Sequence, residues 1–244
     1  MKPEDQGTFN EPDVSWRSRG QFFSEDRMFS RLEMTALHKG QVQTYRALLY
    51  ARDAHAGQLR RKHKFSDLRQ DYFTHPLLIV CHMEGLGIDE DEMLAAGLLH
   101  DICEDCGIRP DDLPFSGAVR HSVGLLTKRK DALRSREDQN RTYYDRIRHD
   151  RIAAVVKIVD RCHNISTMAQ AFSNAKLSEY INETETHVIP LIKDVKHTWP
   201  EYSDLAFLVK YHILAVIETA KVMMLQEQEL EKYIAGLQNS TCLP

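Results

Sequence analysis

The chain has 244 residues, of which 42% are hydrophobic and 28% are charged, a composition typical of one large globular domain or of a domain with an extension. Its 32 basic and 36 acidic residues give a net charge of -4, which argues against a nucleic-acid polymer or a membrane surface as the partner. Five scattered cysteines, no apolar leader and no apolar run long enough to span a bilayer favour a reducing cytoplasm as the location.

The first forty residues mix glycine, proline, serine and charged residues around isolated aromatic side chains. No helical or strand period is sustained there, so residues 1–40 are predicted to form an extension and residues 41–244 the domain. From Val42 onward, apolar or small residues such as Ala47 and Ala51 recur at helical spacing, and the segment ends in the basic run RRKHK.

Helices are also predicted along the rest of the chain. Pro76, directly after His75, is typical of a helix start. Further helical patterns lie in LAAGLLHDICED (94–105), DDLPFSGAVRHSVGLLTK (111–128), RIAAVVKIVD (151–160), LSEYINETETHVIPLIKDVK (177–196, with a break at Pro190) and a final apolar stripe over 205–224. Strand alternation is not convincing anywhere. The patterns therefore predict an all-α bundle of roughly seven to nine helices.

One predicted helix carries four ionisable groups within a turn and a half, namely His100, Asp101, Glu104 and Asp105. Residues three and four apart share a helix face, so Glu104 is expected beside His100 and Asp101. Carboxylates gathered against an apolar core repel one another and lose hydration unless a cation neutralises them. This stretch therefore predicts a bound divalent metal ion.

Two other apolar segments also carry a side chain that can bind metal. Asp160 ends the run VVKIV and is followed by His163 and Asn164, and His75 precedes a proline at a helix start. Each has an ordinary structural alternative. The His-Asp pair can be a cap or salt bridge, His75 a helix-start residue, and Asp160 an ion-pair partner of a neighbouring base. Together they favour one shared pocket.

Four stretches in unbroken order carry a family resemblance. These are AHAGQLRR (54–61), HP (75–76), AAGLLHDICED (95–105) and VKIVDRCHNISTM (156–168). Over roughly residues 44–215 the chain resembles the hydrolase domain of RelA/SpoT-type alarmone enzymes, a branch of the HD metal-dependent phosphohydrolases. The resemblance implies an HD-domain helical bundle and, since no nucleotide-synthesising domain follows, a small stand-alone alarmone hydrolase.

The resemblance implies that one divalent ion, usually Mn²⁺, is bound by four residues: His75, His100, Asp101 and Asp160. Two imidazoles and two carboxylates suit Mn²⁺ or Fe²⁺ with open positions better than a closed thiolate zinc site. Cys103 and Cys106 have the spacing of half a zinc site, but no second cysteine pair accompanies them, so they are interpreted as helix packing.

Glu104 and Asp105 match the catalytic pair of the family. In that role they would orient or deprotonate a water for attack on the 3′-pyrophosphate of a guanosine polyphosphate, converting ppGpp to GDP and pyrophosphate. The structural alternatives are a helix-surface acid for Glu104 and an acid in a C-terminal helical turn for Asp105.

Four further residues match nucleotide-binding positions of the family: Arg60, Arg61, Asn164 and Thr167. A guanidinium can chelate phosphate and stack on a purine, and Asn164 and Thr167 can give directional hydrogen bonds to ribose or base. The alternatives are a solvated basic helix end for the arginines and helix-end caps for the other two.

The segment KHKFSDLRQDYFT (62–74) departs from the family, because it is longer than the usual loop and lacks its glycine and Pro-Tyr pattern. Two other functions therefore stay open. One is an HD phosphohydrolase acting on another nucleotide phosphoester, and the other is a non-catalytic nucleotide sensor. The oligomeric state is not predicted.

Overall fold

The computed structural model describes residues 24–62, 64, 69–128 and 131–240, and this part of the protein is built from α-helices. The α-helices are α1 (Glu25–Lys39), α2 (Val42–Ala54), α3 (Thr74–Gly85), α4 (Asp91–Leu99), α5 (Ile102–Asp105), α6 (Gly117–Leu126), α7 (Arg136–Ile147), α8 (Arg151–Ala171), α9 (Asn174–Glu183), α10 (Ile189–Thr198) and α11 (Ser203–Ser240). None of these described helices combines the length and the apolar character needed to cross a bilayer.

Some neighbouring helices form one continuous unit. Only His100 and Asp101 separate α4 from α5, and the π-helical turn Thr184–Val188 joins α9 to α10. With these pairs each counted once, the described residues form nine helical units, and their one extended pairing is an isolated bridge between Leu59 and Asp71. The predicted all-α bundle of seven to nine helices is confirmed.

Helix α4 lies at the centre of the core. All its residues from Met93 to Leu99 are buried, and it packs against α2, α3, α6 and α8. Gly97 lets α3 and α4 approach closely, because a Cβ atom there would lie 3.0 Å from Val80 Cγ2 and 3.1 Å from Met83 Sδ. Its tight packing makes α4 a rigid support for the residues that follow it.

Helix α8 is the second central element. It packs against α3, α4, α6, α7, α10 and α11, and its apolar run Ala153–Val156 is completely buried. Asp150 caps its start, since Oδ1 accepts a hydrogen bond from the N–H of Ala153 at 2.7 Å. The β-branched residues of this run could suggest a strand, but burial against helices on several sides stabilises the helix that the sequence predicts.

The structure differs from the sequence prediction at several places. Helix α1 lies within the predicted extension, and its Met28, Leu32 and Ala36 are buried in the main core. Helix α7 was not predicted because its sequence is highly polar. The expected break at Pro190 is instead a π-helical turn, after which the proline occupies the first turn of α10, where its missing N–H is tolerated. Residues 1–23 lie outside the described residues, so an extension there stays a prediction.

A buried ion pair fastens α8 to the end of α9. Arg161 Nη2 donates a hydrogen bond to Glu183 Oε1 at 2.7 Å and another to the hydroxyl of Tyr144 at 2.7 Å. Lys128 Nζ lies 3.4 Å from the same carboxylate oxygen. Burial alone would raise the pKa of Glu183, but Arg161 and Lys128 lower it to about 2. The ionised Glu183 therefore stabilises the folded protein.

We predict that Glu183→Gln destabilises the protein by roughly 3–5 kcal/mol at neutral pH, because it leaves Arg161 buried without its counter-charge. The folded-state pKa lies below the ordinary value of 4.5, so the stabilisation by Glu183 is fully present above pH 4.5 and is lost as the pH falls towards about 2. Urea unfolding between pH 7 and pH 3 should show that the difference in free energy of unfolding between wild type and variant becomes smaller below pH 4.5. The exposed neighbour Glu179, replaced by Gln, should barely change the midpoint, and a gap that stays constant with pH would contradict the assignment.

Candidate functional site

Four side chains from three separate stretches of the chain meet at one point. His75 lies in the first turn of α3, and Asp160 lies in the middle of α8. His100 and Asp101 occupy the two-residue turn between α4 and α5. His75 Nε2 lies 3.3 Å from Asp160 Oδ1 and 3.5 Å from Asp101 Oδ2. His100 Nε2 lies 2.9 Å from Asp101 Oδ2 and 3.7 Å from Asp160 Oδ1. We call these four residues the His/Asp cluster.

The donor atoms of the His/Asp cluster fit a divalent cation. Ligand atoms of His75, His100 and Asp101 all lie within 4.8 Å of one another. His100 Nε2 is buried and has no hydrogen-bond partner among the described residues, although a carboxylate oxygen lies 2.9 Å away. A buried nitrogen that makes no hydrogen bond calls for another partner, and two nitrogen and two carboxylate donors suit a transition-metal ion.

The cluster holds its carboxylates in the ionised form. Burial alone would raise the pKa of Asp101, but His100 and His75 hold it well below its usual range. Burial acts in the same way on Asp160, whose pKa is held low chiefly by the ammonium group of Lys157. Burial opposes the charged form of His100, yet the two carboxylates raise its pKa to about 9. A proton on His100 and a divalent cation at the four donor atoms are therefore alternative ways to balance this negative charge.

Each histidine of the cluster is held through its other ring nitrogen. Nδ1 of His100 lies 2.8 Å from the carbonyl oxygen of Gly97. Nδ1 of His75 lies 2.8 Å from Nδ1 of His163, which follows Asp160 by three residues on α8. Contacts of this kind orient the rings, so that both Nε2 atoms face the carboxylates.

The carboxylates are oriented by further hydrogen bonds. The hydroxyl of Tyr72 donates to Asp101 Oδ2 at 2.5 Å. Lys157 Nζ donates to Asp160 Oδ2 at 2.8 Å, and Asn164 Nδ2 donates to Asp160 Oδ1 at 2.5 Å. Because these donors restrain both carboxylates, the cluster does not depend on a bound ion for its arrangement.

Glu104 and Asp105 lie in the short helix α5, directly after the cluster. The helix predicted over 94–105 is divided at this point into α4 and α5 by a two-residue turn at His100 and Asp101. The carboxylate of Glu104 accepts a hydrogen bond from the backbone N–H of Lys128. Although Glu104 keeps solvent-exposed surface, partial loss of hydration raises its pKa; the Lys128 amide opposes this rise, and Asp101 adds to it. Asp105 is exposed and interacts with the hydroxyl of Tyr72.

Arg60 faces the cluster from the loop before α3. Its backbone N–H donates to Gln70 at 2.8 Å beside the antiparallel bridge of Leu59 and Asp71. Its Nη2 donates to Asn164 Oδ1 at 3.3 Å, whereas its buried Nη1 has no hydrogen-bond partner among the described residues. A buried guanidinium N–H without a partner is suited to bind an anionic oxygen.

The other two predicted substrate-binding residues are placed differently. Arg61 is exposed, and its guanidinium lies 5.4 Å from the ring centre of Phe172. Thr167 Oγ1 donates to the carbonyl oxygen of Asn164 at 3.2 Å, within α8. The structure thus joins Asn164 to Asp160 directly and joins Arg60 to the cluster through Asn164, while Arg61 packs on an aromatic ring and Thr167 bonds to its own helix.

Two neighbours of the cluster, Tyr72 and His163, had no assigned role in the sequence prediction, whereas Lys157 was considered there only as a possible ion-pair partner of Asp160. Lys157 and His163 lie three residues before and after Asp160, a spacing that places all three on one face of α8, so helical periodicity could have identified them. Tyr72 lies in the irregular segment before α3, where no period relates it to Asp101. Only the folded chain brings these two side chains together.

Curated relatives resemble most of this chain. The bifunctional (p)ppGpp synthase/hydrolase SpoT of Escherichia coli is 29% identical over 194 residues, which is 75% of this chain and 26% of the relative. A probable guanosine-3′,5′-bis(diphosphate) 3′-pyrophosphohydrolase of Synechocystis is 30% identical over 172 residues, covering 66% of this chain and 21% of the relative. The chain thus spans about a quarter of the length of these relatives. The predicted resemblance to RelA/SpoT-type hydrolases is confirmed.

A solved structure shares the fold. It is described as a metazoan ortholog of SpoT that hydrolyzes ppGpp and plays a role in starvation responses. It superposes with a TM-score of 0.56 at 17% identity, covering 72% of this chain and 94% of that structure. The likeness supports the all-α helical bundle. No family model matches the chain.

We predict that Lys157→Met destabilises the protein by roughly 3–5 kcal/mol, because Asp160 stays buried without its closest cation. Urea unfolding at neutral pH in the presence of a chelator measures the change. Lys176→Met is a matched control, since Lys176 pairs with Glu179 at 3.3 Å on an exposed surface, and we expect less than about 1 kcal/mol. Equal effects of the two variants would show that Lys157 does not stabilise Asp160.

Proposed function

We propose that this chain, which resembles RelA/SpoT-type hydrolases over three quarters of its length, is a divalent-cation-dependent enzyme that removes the 3′-pyrophosphate from guanosine polyphosphates. The observation that carries the proposal is the meeting of two imidazoles and two carboxylates, with the buried Nε2 of His100 2.9 Å from Asp101 Oδ2. Conversion of ppGpp to GDP and pyrophosphate is the expected reaction, in the cytoplasm.

The proposed cation ligands are His75, His100, Asp101 and Asp160. A divalent cation bound there supplies Lewis acidity toward a phosphoryl oxygen. We propose Mn²⁺ as the cation, with Fe²⁺ as the alternative, because the donor set mixes nitrogen and oxygen and contains no thiolate. Deprotonated His100 is required for binding, so cation binding would displace its proton.

Glu104 and Asp105 are the proposed catalytic residues. Their carboxylates follow Asp101 by one helical turn and remain accessible to solvent, so they can hold a water and accept its proton as it attacks the phosphorus atom. The raised pKa of Glu104 is in keeping with such a role, since a base with a higher pKa accepts a proton more readily.

The proposed substrate-binding residues are Arg60, Arg61, Asn164 and Thr167. Arg60 is the strongest of these, because its unpartnered Nη1 can donate a charge-assisted hydrogen bond to a phosphate oxygen. Asn164 lies between Arg60 and Asp160 and would place the nucleoside beside the cluster. A local positive charge of this kind attracts a polyanion to a chain whose net charge is negative.

A second candidate substrate is another nucleotide phosphoester. The segment 62–74 lacks the glycine and Pro-Tyr pattern of the family, and Arg61 packs on Phe172. The wall next to the nucleotide therefore differs from the family pattern, while the His/Asp cluster and the acidic pair are retained. This difference affects the choice of base or sugar rather than the type of reaction.

We predict that the purified chain with Mn²⁺ converts ppGpp to GDP and pyrophosphate, and that Asp101→Ala abolishes the reaction because it removes a cation ligand. Products are identified by mass spectrometry, with other phosphorylated nucleotides offered in parallel. Asp112→Ala is the control, because Asp112 is an exposed carboxylate paired with Arg109, and its loss should leave turnover unchanged. Orthophosphate as the sole product would refute the reaction, turnover of another nucleotide alone would favour the second candidate, and tight nucleotide binding without turnover would indicate a sensor.

We predict that Arg60→Ala raises KM for ppGpp by roughly 10- to 100-fold, the effect of losing a hydrogen bond to a charged group. Arg61→Ala should have a smaller effect, because its guanidinium packs on Phe172. Arg120→Ala, an exposed site on α6, controls for loss of a positive charge from the surface. Steady-state kinetics measure all three variants. An equal rise in KM for the Arg60→Ala and Arg120→Ala variants would mean that Arg60 acts only through long-range electrostatic attraction of the substrate.

A further inference from the structure

The two histidines of the His/Asp cluster are held by partners of different chemistry. His100 Nδ1 lies 2.8 Å from the carbonyl oxygen of Gly97. A carbonyl oxygen only accepts, so Nδ1 of His100 carries a hydrogen, and Nε2 is the nitrogen that can bind either a proton or a cation. His75 Nδ1 instead lies 2.8 Å from Nδ1 of His163, and an imidazole nitrogen either donates or accepts.

One hydrogen lies between the two Nδ1 atoms, so the neutral pair has two tautomeric arrangements. In the first, His75 donates from Nδ1, and its Nε2 lone pair faces Asp101 and Asp160. In the second, His163 donates from Nδ1 and the hydrogen of His75 lies on Nε2, where it points at carboxylate oxygens 3.3 and 3.5 Å away. Only the first arrangement lets His75 bind a cation through Nε2.

We propose that His163 is a positioning residue that sets the tautomer of His75. Nδ1 of His163 accepts the hydrogen bond from Nδ1–H of His75, and the hydrogen of His163 lies on its Nε2. As a result, Nε2 of His75 carries no hydrogen and can donate its lone pair to a cation. This inference rests on the proposed function, because the proposed function assigns a cation to the His/Asp cluster.

The position of His163 in the fold supports this role. It lies on α8, one turn after Asp160 and next to Asn164, which bonds to Asp160 at 2.5 Å. The planes of the His75 and His163 rings are 30° apart with their centres separated by 4.8 Å, and their Nδ1 atoms lie at hydrogen-bond distance. One turn of α8 therefore supplies a proposed ligand, a partner for that ligand, and the acceptor for a ligand from α3.

The tautomers can be read in the wild-type protein. Long-range ¹H–¹⁵N spectra of histidine-labelled protein, recorded with a chelator and with Zn²⁺ as a diamagnetic probe, distinguish a protonated from an unprotonated ring nitrogen. In the Zn²⁺ sample we expect His163 to be protonated at Nε2 and His75 to be protonated at Nδ1. Protonation of His163 at Nδ1 in the Zn²⁺ sample would overturn the proposal. This measurement needs no variant, so it holds even where a substitution prevents folding.

Cation affinity gives a second readout that does not depend on turnover. His163→Leu removes the acceptor and should weaken Mn²⁺ binding by roughly 10- to 100-fold, as measured from the electron paramagnetic resonance of free Mn²⁺. His163→Asn keeps an amide oxygen near the position of Nδ1 and should restore most of the affinity. Ser166→Ala, on the next turn of α8, should leave the affinity unchanged.

The outcomes separate this inference from the proposed function. Mn²⁺ affinity that depends on His163, in a chain that does not hydrolyse ppGpp, would support the positioning role and refute the reaction. Hydrolysis of ppGpp with equal Mn²⁺ affinity in wild type and His163→Leu would support the reaction and overturn the positioning role. Equal loss of affinity in the Leu and Asn variants would also overturn it, because a bare packing role does not distinguish the two side chains.

Discussion

Two ionised carboxylates, Asp101 and Asp160, lie in one buried volume, and their mutual repulsion is the constraint on which the surrounding structure depends. Positive charge must balance them, and Lys157 and His100 supply it. Each balancing group is in turn fixed by a contact of its own, such as the carbonyl oxygen of Gly97 for His100. The dense packing of α4 keeps that carbonyl in place. The packing of the helices in the core therefore sets the distances between the charged groups of the cluster.

Helix α8 links the site to the rest of the fold. One face carries Lys157, Asp160 and His163 toward the cluster, while Arg161, on another face, forms the buried ion pair with Glu183. The polar residues of α8 thus serve two separate networks, and its apolar residues fill the core between them. This division explains how one helix can contain several charged side chains and still be buried over most of its length.

Helical periodicity and family resemblance together predicted the all-α fold and the four residues that converge in the cluster. The prediction was weaker where tertiary contacts override local pattern. The turn between α4 and α5 lies in an uninterrupted helical sequence, and α7 forms from a polar one because Tyr143 and Ile147 are buried in the core. Local sequence also does not pair Tyr72 with Asp101, 29 residues later in the chain. Contacts between distant residues follow from the packing of helices and not from the period of any single helix.

The bridge between Leu59 and Asp71 closes the base of the loop that precedes α3, with backbone hydrogen bonds of 2.8 Å on either side of it. Arg60 and Tyr72 therefore keep their positions whatever the length of the chain between them. The entropic free-energy cost of closing a loop rises by only about 0.6 kcal/mol for each doubling of its length, so insertions between Arg60 and Tyr72 should destabilise the fold only slightly. The length of the segment between Arg60 and Tyr72 can therefore change at little cost in stability, while the residues that surround the cluster stay where they are.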